Sequence, residues 1–136
     1  MDDQRLVPWE VRWVELRSAE DAAVAIREMW TRGAPMIGAT AAYGLAMALA
    51  ADPGDASLAN AFEMLLATRP TAVNLRWALD QVRSAVSALP VDQRADAAFA
   101  RADAICEEDA ALCRAIGEHG LAVLPPHERK HFADMP

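Results

Sequence analysis

Residues 35–51, PMIGATAAYGLAMALAA, contain no charged side chain. A helix apolar on every side has no face to turn to water, so other helices must enclose it. The run is short for a bilayer core and is interrupted by Gly38, Thr40, Tyr43 and Gly44, so it reads as a buried helix and not as a membrane span. Its glycines and alanines cost intrinsic helix propensity but let neighbouring backbones come close. The rest of the 136 residues is therefore expected to wrap this element. A single domain of that length buries roughly two-thirds of its unfolded surface.

The flanking patterns supply the wrapping. Arg12-Trp13-Val14-Glu15-Leu16 alternates polar and apolar, which predicts a short half-buried strand or extended arm. Ser18 is expected to cap a first helix, with Asp21 at the capping-box position and Val24, Ile26, Met29 and Trp30 on its apolar side. Gly33 fits the left-handed position after that helix, and Pro35 the first position of the central one. Asp52-Pro53-Gly54-Asp55 is a turn by composition. Ser57 is expected to start a third helix carrying Leu58, Phe62, Leu65 and Leu66, which Pro70 ends.

Thr71 is then expected to cap a fourth helix reaching Leu89, with Leu75, Leu79, Val82 and Val86 on one stripe. Asp92 opens a long last helix to about residue 118, with Phe99, Ile105, Cys106, Leu112 and Ile116 inward. The expected fold class is mainly α: a bundle of about five helices with a short extended or β N-terminal lead. The helical domain is placed at residues 1–120. Residues 121–136, with Pro125-Pro126 and mixed charges, read as an irregular tail prone to disorder.

Charge and cysteine usage exclude several classes. Net charge is −7, and Lys130 is the only lysine. No basic stretch is clustered, which argues against nucleic acid or an anionic membrane as partner. The start, MDDQRLVPWE, lacks the apolar core of a signal peptide, so the cytoplasm is the default location. Cys106 and Cys113 fall two turns apart on one predicted helix, too far to bridge. With no other cysteine there is neither a disulfide framework nor a zinc pattern. Both read as small core residues.

Arg32-Gly33-Ala34-Pro35 poses the functional question. The first N–H groups of a helix have no internal partner and usually need a side-chain cap. With Pro35 first in the helix, the cap falls on Ala34, which has no oxygen to offer. The N–H groups of Met36 and Ile37 are then open to water, another segment or an anion, which the positive end of the helix dipole favours. Arg32 adds a planar, bidentate donor for phosphate. From local chemistry alone, a Gly-Pro hairpin with a solvated arginine is the commoner outcome. In "TRPTAVNLRWAL", an arginine again stands before a helix start, and Asn74 and Trp77 lie one turn apart. If the two helix starts share one end of the bundle, Arg32 and Arg69 can hold one phosphate between them. Taken singly, Arg69 is more often a surface arginine and Trp77 more often core.

These two stretches resemble the N-terminal domain of the methylthioribose-1-phosphate isomerase family. RGAPMIGATAAYG at residues 32–44 matches its recurrent RGAP-x-IG-x-x-AAYG segment, and RPTAVNLRWA at 69–78 matches a second. CRAIGEHG at 113–120 is also similar, so the likeness covers about residues 3–120. It implies an aldose–ketose isomerase of methionine salvage, converting 5-methylthioribose 1-phosphate to 5-methylthioribulose 1-phosphate with no organic cofactor and no metal. It further implies substrate contacts at Arg32, Gly33, Ala34 and Arg69.

The family pairs this helical domain with a larger Rossmann-like C-terminal domain, usually as a homodimer. Its catalytic cysteine, in a Thr-His-Cys-Asn context, and its proton-donating aspartate belong to that second domain, and neither segment occurs here. No catalytic residue is therefore assigned in this chain. Cys106 and Cys113 do not substitute, and His119, His127 and His131 have no recognisable acid–base partner. The chain is expected to bind a small sugar phosphate and to be inactive alone, with a catalytic half on another chain and a homodimer as the partners the likeness raises. Two other readings stay open. One is an assembly module like the regulatory subunits of the translation-initiation exchange factor. The other is a relative of ribose-1,5-bisphosphate isomerase.

Overall fold

The structure, a computed structural model, describes residues 1–125. The chain divides into two units, Met1–Cys106 and Glu107–Pro136. The first holds helices α1 (Ala19–Arg27), α2 (Ala34–Ala51), α3 (Asp55–Leu66) and α4 (Val73–Val86), then a single 3-10 turn, Val91–Gln93. Helix α5 (Arg94–Val123) begins in the first unit and runs on into the second. The fold is mainly α, as expected, with five α-helices among the described residues.

Helix α2 is the element the others enclose. It contacts α4 most extensively, then α1 and α3. Ala41, Ala42, Leu45, Ala46 and Leu49 are all fully buried. By length and composition α2 is apolar enough to cross a membrane, yet 56% of it is buried inside the protein. That is the signature of a core helix. Gly44 explains how α1 and α3 approach it so closely: a Cβ there would sit 2.8 Å from the Ala22 Cβ and 3.1 Å from a Leu65 methyl.

The surrounding stripes pack as their spacing predicts. Leu58, Phe62, Leu65 and Leu66 of α3 are buried, and so are Leu75, Leu79, Val82 and Val86 of α4. Ser18 caps α1, its Oγ accepting from Asp21 N–H at 3.1 Å. Asp21 returns the favour one residue further out, its carboxylate accepting from Arg17 N–H at 2.9 Å. The buried Arg94 guanidinium donates to the Pro53 and Leu89 carbonyls and pairs with Asp55, tying the start of α5 to the turn before α3.

Several expectations need correcting. Of the two forms the Arg12–Leu16 alternation allowed, the extended arm is the one found, with one antiparallel bridge joining Asp2 and Trp13. Helix α3 begins at Asp55, before Ser57, because Asp52 Oδ1 accepts from Gly54 N–H and closes the turn early. Helix α4 ends at Val86, short of Leu89, and α5 runs to Val123, past the end expected near residue 118. Leu112 and Ile116, expected to face inward, are 62% and 68% exposed; both lie in the second unit. Cys106 is half-buried and Cys113 exposed, so neither is a core residue. His119 is exposed. His127, His131 and residues 126–136 of the expected tail lie outside the described residues.

Candidate functional site

The approach to α2 is set by how α1 ends. Trp30 N–H donates to the Ala25 carbonyl at 2.8 Å and Met29 N–H to Ile26 at 3.3 Å, which is the Schellman closure. The residue bent into the left-handed region is Met29, at φ 62°. Glycine is usual there because a Cβ crowds the following carbonyl. The left-handed turn expected at Gly33 is thus already made by Met29.

Gly33 has a different role. It is the N-cap of α2, at φ 86° and ψ 139°, which moves Ala34 and Pro35 each one place further into the helix than the sequence suggests. Ile37 N–H, expected to be open, donates to the Gly33 carbonyl at 3.0 Å. The donors left without a protein partner among the described residues are Ala34 and Met36 N–H. Around the Gly33 Cα, nothing lies within 4 Å of where a Cβ would go. Glycine is needed for its backbone angles and not for space. Gly33→Ala should therefore destabilise the chain by about 1–3 kcal/mol, read from urea unfolding, although it creates no clash.

The N-terminal lead holds this passage in place. Gln4 N–H donates to the Trp30 carbonyl at 2.8 Å, and Gln4 Oε1 accepts from Arg32 N–H at 2.6 Å. Beside it Arg5 pairs with Asp3 at 2.8 Å and lies over the Trp30 ring at 4.8 Å. The hydrogen bonds from Arg5 hold the Asp3 carboxyl below its ordinary range.

The second helix start is built differently from expectation. Thr68 Oγ turns back to the Leu65 carbonyl at 2.6 Å and so terminates α3. Ala72 N–H then closes a turn on the Arg69 carbonyl at 3.0 Å. That turn makes Ala72, not Thr71, the N-cap of α4, and no side chain caps the helix. Thr71 is left exposed.

The two starts meet. Met29, Gly33 and Ala34 from the α1–α2 passage, and Arg69, Thr71 and Asn74 from the α3–α4 passage, border one cleft of about 410 Å³. Two helix N-termini without side-chain caps therefore open on the same space, each contributing unpaired N–H groups and a positive dipole end. Arg69 is half-buried, and its Nη1 contacts the Met29 Sδ. It forms no ion pair with a carboxylate among the described residues. None of the residues around the cleft is a carboxylate, a histidine or a cysteine. Backbone N–H groups and a guanidinium are donors of the kind that suits an anion.

Of the four residues singled out in the sequence, Gly33, Ala34 and Arg69 border this cleft. Arg32 does not; it is exposed beside Gly33. Sequence reasoning missed Met29, which it took for the apolar side of α1, and Thr71, which it took for a cap. No residue type marks Met29, since its conformation is imposed by the backbone bonds from Met29 to Ile26 and from Trp30 to Ala25, which reach back three and five residues. Trp77, expected in the core, is 44% exposed.

The all-helical bundle thus brings two uncapped helix starts and one arginine to the walls of one cleft. The chain belongs to the Initiation factor 2 subunit family, whose profile matches residues 30–130. Among curated relatives it is 54% identical over 127 residues to a methylthioribose-1-phosphate isomerase from Paramagnetospirillum magneticum, a match over 93% of this chain and 35% of that protein. The chain thus spans about a third of the length of the curated methylthioribose-1-phosphate isomerases it matches and corresponds to their N-terminal portion. Two solved structures share the fold. A 5-methylthioribose 1-phosphate isomerase from Pyrococcus horikoshii superposes with TM-score 0.85 at 37% identity, over 92% of this chain and 38% of that one. A translation initiation factor 2B delta subunit from A. fulgidus does so with TM-score 0.84 at 32% identity, over 91% of this chain and 38% of that one.

Proposed function

We propose that this chain is the phosphate-gripping part of a methylthioribose-1-phosphate isomerase. It acts in the cytoplasm on 5-methylthioribose 1-phosphate, with Arg32, Gly33, Ala34 and Arg69 as its substrate contacts. The observation that carries the reading is the cleft in which Arg69 faces two uncapped helix starts. A phosphoryl group has oxygens for both sets of N–H donors and for one guanidinium at once. Arg32, exposed beside the cleft, would close on the substrate from outside.

Isomerising a sugar 1-phosphate requires ring opening and then transfer of a proton or hydride between adjacent carbons, with an acid–base group in reach. The cleft offers none. Its share is positioning and electrostatic stabilisation of the phosphate. The chemical share then falls to a C-terminal portion of the kind the longer relatives have, and pairing of copies belongs to the same proposal. Met36, Val73 and Trp77, exposed by 44%, 79% and 44% in the first two turns of α2 and α4, give such a portion an apolar rim to cover.

The assembly-module reading is not favoured, because identity to the isomerase relative is 54% against 32% to the initiation-factor subunit. A bisphosphate sugar would need a second anion site, and this cleft has a single arginine on its walls. The test is a turnover assay on the purified 136-residue chain alongside titration with 5-methylthioribose 1-phosphate. Weak binding with no turnover is expected. Substantial isomerisation by this chain alone would overturn the division of labour.

A further inference from the structure

Met29 combines three properties found nowhere else among the described residues. It is the one non-glycine residue at positive φ, it borders the cleft, and its sulfur meets the Arg69 guanidinium. A bulky side chain held in the left-handed region carries local strain, and such strain persists only where surrounding bonds impose it. Here the Schellman bonds from Trp30 to Ala25 and from Met29 to Ile26 impose it, and Gln4 braces the loop from outside through Trp30 and Arg32. The consequence is directional. The thioether is carried off the apolar side of α1 and into the cleft.

A thioether is a weak acceptor, while a phosphate oxygen accepts far more strongly from a guanidinium. A carboxylate at this place would bind Arg69 and compete with an anion. An alanine would leave the long arginine side chain free to swing, so that its ordering would have to be supplied on binding. Methionine sits between these extremes. We propose that Met29 is a positioning residue: its sulfur stands in for the anion and keeps Arg69 aimed into the cleft, and it yields when phosphate arrives. This rests on the phosphate-binding reading and adds to it the residue that sets Arg69's pose before the ligand comes.

The test compares isosteric replacements, because Met29→Glu and Met29→Gln have the same length and the same cost in the left-handed region. The 136-residue chain is titrated with 5-methylthioribose 1-phosphate and with inorganic phosphate, and the Arg69 side-chain Nε–H resonance is followed by NMR. Met29→Glu is expected to lower affinity about tenfold or more, and Met29→Gln to stay within about threefold of the unsubstituted protein. The Arg69 resonance should be sharp and distinct in the unsubstituted protein, averaged towards free arginine in Met29→Ala, and restored in Met29→Gln. A carboxylate would repel the anion in either case, so the Arg69 resonance is the deciding readout: a purely structural methionine would not move it. If Arg69→Ala abolishes binding while all three Met29 variants bind as the unsubstituted chain does, the positioning role is overturned and the phosphate reading stands. If the unsubstituted chain binds neither probe, the phosphate reading fails and takes the positioning role with it.

Discussion

Arg69→Ala is expected to weaken binding of 5-methylthioribose 1-phosphate by about 10- to 100-fold while leaving the helical bundle intact. The charge-assisted bonds of a guanidinium to phosphate are the strongest single contact the cleft can make, and the alternative donors are backbone amides. Folding should be spared because Arg69 is only half-buried and pairs with no carboxylate among the described residues. Its side chain reaches the Met29 sulfur. Calorimetric titration reads the affinity, and the urea midpoint reads the fold. Arg32→Ala should cost less than Arg69→Ala, since Arg32 lies outside the walls of the cleft. Unchanged affinity in both variants would remove the two arginines from the site.

Gly44→Val should do the reverse, damaging the fold and leaving the site chemistry alone. The added Cβ would stand 2.8 Å from the Ala22 Cβ and 3.1 Å from Leu65 Cδ2. The first of these is a short, rigid side chain on α1, so relief requires moving that helix and not turning a rotamer. Overpacking of this kind costs about 1–3 kcal/mol, and a clash that must shift a helix belongs at the top of that range. The urea midpoint should fall accordingly, with phosphate affinity per folded molecule unchanged. An undiminished midpoint would mean that α1 and α2 slide freely, contrary to the close packing described. Gly38 supplies a useful contrast: a Cβ there would meet the Asn74 carbonyl at 3.0 Å, so Gly38→Ala presses on the first turn of α4 and thus on the cleft itself.

The helical core was legible in the sequence for a simple reason. Leu75, Leu79, Val82 and Val86 recur at helical spacing with polar residues between them, and all four are fully buried. Such a stripe has one stable destination, the interior. The same rule misled on α5. Leu112 and Ile116 continue the spacing of Phe99 and Ile105, but periodicity says that a face is apolar and not what covers it. Both are exposed. Helix ends were read less well than helix faces. Thr71 has the right chemistry for a cap, and was displaced because Ala72 N–H found the Arg69 carbonyl first.

The candidate site divides along the same line. That Gly33 and Ala34 begin a helix with no side-chain cap follows from residue types alone, since neither carries an oxygen on its side chain. That α2 must be enclosed follows from seventeen consecutive residues without charge. Only the tertiary structure decided that the starts of α2 and α4 open on one cleft, that Arg69 borders it and Arg32 does not, and that a methionine takes the left-handed turn. The first two outcomes depend on contacts between residues tens of positions apart, such as Arg69 with Met29 and Arg32 with Gln4; the third is imposed at the end of α1 by the bonds from Met29 to Ile26 and from Trp30 to Ala25. Local propensity and spacing act over a few residues of chain, so they write the helices. Where the helices' ends meet is settled by packing free energy summed over the whole core.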